Sequence, residues 1–105
     1  MSAEARVLGL LLCELADAMI ANGILRRHEV AGALLRTEHR AELDDAFNDE
    51  DVMAEASGFA GLLTEEWQSR LGLLPDVVTL RSHHTDWLRN GSKGTAALDV
   101  REVRR

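Results

Sequence analysis

Residues 2–23 read SAEARVLGLLLCELADAMIANG, and this stretch decides the fold class. Ser2 is a plausible N-cap with Glu4 in the first turn behind it, and Asn22-Gly23 is a C-terminal stop, so the whole stretch is one helix. Leu8, Leu11, Leu12, Leu15, Met19 and Ile20 recur at three- and four-residue steps and share a face. Val7 and Leu10 widen that face until the first half of the helix is apolar nearly all round. A helix of that kind is usually covered on more than one side.

The rest of the chain follows the same period. Ile24-Leu25 lead into a second helix over about 27–47, with Val30 and Leu34 on one stripe, Ala31 and Leu35 beside it, and Ala41 and Ala46 extending it. The short connection makes the first two helices an antiparallel αα-hairpin. Asn48 or Asp49 can cap a third segment, in which Val52, Met53, Ala56, Phe59 and Leu63 continue the helical spacing. Gly58 and Gly61 weaken its middle, and Thr64-Glu65-Glu66 resembles a fresh helix start. The expectation is therefore a kinked helix over 50–72, or two short ones meeting near Gly61, with Gly72 as the stop. Pro75 suits the first turn of a further helix reaching Asn90-Gly91, with Val77, Leu80, His84, Trp87 and Leu88 on one face. The β-branched run Val77-Val78-Thr79 also admits a strand.

These elements predict an all-α protein, a four- to five-helix antiparallel bundle with a hairpin at its N-terminus. Residues 1–91 form the helical domain, and 92–105 are a linker and a short basic arm, Gly91-Ser92-Lys93-Gly94 being the clearest linker in the chain. A chain of 105 residues with 46% hydrophobic and 29% charged residues has the composition of one folded domain. One Pro, no Tyr and 4% aromatic residues leave little for a turn-rich β fold.

The net charge of −6 argues against nucleic acid as a partner, because phosphate binding needs a basic face. The acidity is local: residues 38–66 carry −9, whereas 67–105 carry +3, and Arg101, Arg104 and Arg105 tip the chain. Pairing of the acidic middle with this basic arm, within a chain or between two, would set orientation more than affinity. The lone Cys13 cannot form an internal disulfide and sits in an apolar run as a buried small hydrophobe with an unreactive thiol. No stretch is long and apolar enough to span a membrane, the n-region is poor for a secretory signal, and Leu12 is not the small residue a lipoprotein site needs before its cysteine. The expected location is the cytoplasm.

Tests for chemistry return little. The residues three before His28, His39, His83 and His84 are Leu25, Arg36, Leu80 and Arg81, so the Glu-x-x-His pattern of a di-iron bundle is missing. No His pair stands at i, i+4 and no second Cys is available for zinc. Weak metal candidates remain: His39 with Glu42 one turn apart on the second helix, and His83, His84 and Asp86 on the fourth. Ser57-Gly58 and Ser69 lack the context of a nucleophile elbow, and the glycine linker lacks the spacing of a phosphate loop. Asp44-Asp45 and Asp49-Glu50-Asp51 lack the offsets of a calcium loop. A helix-turn-helix reading puts Leu-Leu-Leu-Cys in the recognition helix, which offers nothing to base edges.

No catalytic set, cofactor or metal is assigned. The expected role is non-enzymatic: an oligomeric protein-interaction or regulatory module, a homodimer through the first helix. Leu8, Leu12, Arg26, Arg27, Trp87 and the Arg101, Arg104 and Arg105 tail are the candidate contact residues. The other arrangement is a compact monomer in which the Trp67 and Trp87 segments close over the first helix. The alternative function is a small-ligand or metal-binding helical protein centred on His83, His84, Asp86 and Trp87.

Overall fold

The computed structural model describes residues 2–43, 50–92 and 96–98. Four α-helices follow one another: α1 (Ala3–Ala21), α2 (Arg27–Leu43), α3 (Glu50–Leu71) and α4 (Leu74–Arg89), with a short 3-10 turn at Ala96–Leu98. Among the described residues there is no strand. The Val77-Val78-Thr79 run is helical because Pro75 sits in the first turn of α4 and the 3.6-residue period buries Val77 and Leu80 together.

The helix ends follow from local chemistry. The Ser2 hydroxyl accepts from the Ala5 amide at 3.1 Å and caps α1. At its other end, Gly23 adopts φ 73°, and the Ile24 and Gly23 amides donate to the carbonyls of Met19 and Ile20 at 2.9 and 3.1 Å, a Schellman closure. Glu29 accepts from the Arg26 amide at 3.0 Å, half of a capping box for α2. Gly72, at φ 67°, turns α3 into α4 within two residues, and Arg27 donates its Nε to the Leu71 carbonyl at 3.0 Å.

α3 runs unbroken through Gly58, Gly61 and Thr64, which keeps the single helix over about 50–72 and corrects the alternative of two short helices meeting near Gly61. Thr64 is not a cap: it is buried, and its hydroxyl donates to the Ala60 carbonyl one turn back at 3.1 Å. A helix interior satisfies the threonine as well as a helix start would, so the Thr-Glu-Glu signature misleads here. The caps expected at Asn48 or Asp49 and the apolar positions Ala46, Val52 and Met53 lie outside the residues whose side chains are described.

α2 is the centre of the packing, most extensively against α3 and then α4. Its Val30, Ala31, Leu34 and Leu35 join Leu71, Leu73, Val77 and Leu80 in the core, to which α1 contributes Cys13 and Ala16, with Ile20 packed against them. The C-terminal turn adds Leu98, 1% exposed, and Arg36 holds it by donating to the Leu98 carbonyl at 2.7 Å. The molecule is a slab, 39 × 38 × 19 Å, two helices thick.

α1 lies at the edge of that slab against α3. Gly9, Cys13 and Ala16 face inward, and an ideal Cβ at Gly9 would stand 3.1 Å from Leu63 Cδ2. Small residues let the two helices approach closely, and the leucines therefore point away. Val7, Leu8, Leu11, Leu12, Leu15 and Met19 are each between 39% and 63% exposed, and Leu10 is exposed beside them. Neither Trp67 nor Trp87 covers them; Trp67 packs on the core cluster instead.

Candidate functional site

Two features stand out: the uncovered face of α1, and a recess between α2 and α4.

At 100° per residue, Val7, Leu8, Leu11, Leu12, Leu15, Ala18 and Met19 fill an apolar arc of roughly 140° over residues 7–19, with Glu4 on the same bearing in the first turn before it. The buried face of Gly9, Cys13 and Ala16 is on the opposite side. Leu62 of α3 is also exposed and lines a groove between α1 and α3 together with Ala5, Arg6, Gly9 and Glu66. Monomers rarely leave a broad contiguous apolar face uncovered. Leu8 and Leu12 lie in this arc. The remaining exposed aliphatics, Leu74, Val78 and Leu88 on α4 and Ile24 after α1, are fewer and more scattered.

The other candidate contact residues are placed apart from that face. Arg26 is exposed at the start of α2, and the Arg27 guanidinium is committed to the end of α3. Trp87 is half-buried on α4. Arg101, Arg104 and Arg105 lie outside the described residues, so the pairing of the basic arm with the acidic middle is not visible. The Arg81–Glu38 ion pair at 3.0 Å joins the start of the acidic middle to α4 rather than to the arm.

That ion pair stands on the rim of the recess, a cavity of about 280 Å³ lined by Leu35, Glu38, His39, Arg81, His84, Thr85, Leu88 and Leu98. Inside it the imidazoles of His39 and His84 meet edge to face, their centroids 5.1 Å apart and their planes at 81°. Sequence spacing could not foresee this pair, because the two residues stand on different helices and meet only through α2–α4 packing. The residues grouped by spacing are not gathered here: His83 is exposed, and Asp86 lies 4.0 Å from Arg89 on its own helix. Glu42 lies outside the residues whose side chains are described. Among the described residues, no set of three or more His, Cys, Asp or Glu side chains is arranged to hold a metal ion.

Cys13 is buried at the α1 interface, and burial pushes its thiol above the ordinary cysteine range. Glu14, Asp17 and Glu66 push the same way, while the Arg70 guanidinium opposes them. A thiol so placed is a packing group rather than a nucleophile. No helix among the described residues is long and apolar enough to cross a membrane. The chain matches no protein family, no curated protein and no solved structure with which it was compared.

Proposed function

We propose that the protein is a non-enzymatic cytoplasmic interaction or regulatory module that works as a homodimer joined through α1. The observation that carries this reading is the apolar arc of α1, turned outward by the small residues beneath it. About half of each of these side chains is still exposed, so covering it is worth roughly 1 kcal/mol per residue. Six such residues from each of two copies supply on the order of 10 kcal/mol, comparable with the cost of association. A second copy is the economical occupant, because a two-fold axis beside α1 sets one arc against its equal without requiring a complementary surface elsewhere. The charge pattern favours it further: Glu4, Glu14, Asp17 and Arg6 are exposed around the arc on a chain of net charge −6, a poor match to anionic membranes or nucleic acid. In the dimer the two α1 helices form an inner layer between the α2–α3–α4 units. Light scattering on a gel-filtration column tests the reading: the dimer gives twice the chain mass of 11.6 kDa at tens of micromolar, and a mass of 11.6 kDa refutes it.

A further inference from the structure

We propose that His39 and His84 form a two-imidazole clasp for a divalent transition-metal ion such as Zn²⁺ or Ni²⁺, binding one ion per chain between α2 and α4. A ligating imidazole nitrogen stands about 2.0–2.1 Å from such an ion, which puts each ring centroid about 3.2 Å from it. At the tetrahedral angle, two such rings have centroids about 5.2 Å apart. The observed separation is 5.1 Å, with the ring planes nearly perpendicular. The centroids are therefore already spaced for two ligands of one ion, and turning the rings about their Cβ–Cγ bonds, which leaves the centroids in place, aims a nitrogen of each at it without moving the helices.

The surroundings supply what else the ion needs. The recess is open and large enough for water to complete the coordination shell, with the Thr85 hydroxyl on its wall. The Glu38 carboxylate lines the same recess paired with Arg81 at 3.0 Å, so the pair adds little net charge beside the ion. Leu35, Leu88 and Leu98 form the apolar side of the recess. Imidazole is a borderline donor suited to zinc, nickel and copper, and two imidazoles with no carboxylate ligand select against calcium and magnesium. Each ring ligates through one nitrogen and leaves the other for a supporting hydrogen bond.

The proposal stands apart from the dimer, since the recess and the outward face of α1 are formed by different elements. Isothermal titration of the full chain with Ni²⁺, and separately with Zn²⁺, at neutral pH tests it. One ion per chain is expected, with affinity falling about tenfold or more in both His39→Ala and His84→Ala. His83→Ala and His28→Ala should bind as the unaltered chain does. Metal at tenfold over its dissociation constant should raise the melting temperature by about 5 °C, and acidification should abolish the shift because ligation needs the neutral ring. Circular dichroism of each variant confirms that it is folded before titration. No binding at millimolar metal, retention of full affinity in either His39→Ala or His84→Ala, or an equal loss in His83→Ala overturns the proposal.

Discussion

Replacing Leu8 and Leu12 together by Glu probes the outward face of α1 with little expected cost to the protomer. Both side chains are more than half exposed, Glu is a good helix former, and neither residue belongs to the core cluster. In a dimer the same change removes two apolar side chains from each copy. At about 1 kcal/mol for the remaining half of each leucine, four side chains account for roughly 4 kcal/mol of association energy. That is about a thousandfold in the dissociation constant. Burying carboxylates without partners adds a further penalty, so a thousandfold is a lower bound. Sedimentation equilibrium over a range of concentrations should find the variant monomeric where the unaltered chain is dimeric, with unchanged helical content by circular dichroism. A double variant that keeps the mass of the parent refutes the placement of the interface. A variant that loses its helices refutes the claim that this face contributes nothing to the protomer's own core.

Three further outcomes follow from the packing. Gly58 lies within α3 with open space where a Cβ would stand, so Gly58→Ala should raise stability by about 0.5–1 kcal/mol in urea titration. Gly9→Ala meets Leu63 at 3.1 Å and should gain less or lose stability; equal gains at both sites would contradict the close α1–α3 contact. Cys13, buried and with its thiol pushed upward, should react with a thiol reagent far more slowly in the native than in the denatured chain. Because the native state holds that proton to higher pH than the unfolded chain does, stability is fully present below the unfolded thiol's pKa of about 8.5 and falls as pH rises above it. Stability that is flat or rising across that alkaline range in the parent, relative to Cys13→Ala, would contradict the burial. Leu98→Ala should cost about 2–3 kcal/mol in thermal or urea unfolding, because the side chain is 1% exposed in the core; a loss under 0.5 kcal/mol would mean that the C-terminal turn is not docked.

Much of this fold can be read from the chain, and the failures share a cause. Asn22-Gly23 and Gly72 end their helices because the left-handed conformation at a helix exit strongly favours glycine, a rule that depends on no distant residue. Pro75 similarly settles α4 over a strand. Thr64 misled because the same hydroxyl serves a helix start or a helix interior, and only its burial against neighbouring helices decides which. On α1 the apolar residues run nearly all round, so their weight alone does not choose the inward face, whereas the small stripe Gly9, Cys13 and Ala16 marks where the helix approaches its neighbour. That stripe was visible at four- and three-residue steps and was the available signal. Leu98 in the core and His39 against His84 had no such signal, since both depend on where α4 lies against α2.

The central claim concerns which face of α1 meets the second copy, and isotope-filtered NMR on a mixture of labelled and unlabelled chains reads it directly. Intermolecular contacts among the methyl groups of Leu8, Leu11, Leu12 and Leu15 are the predicted result. A monomer with no intermolecular contacts, or contacts confined to Leu74, Val78 and Leu88 on α4, would contradict it.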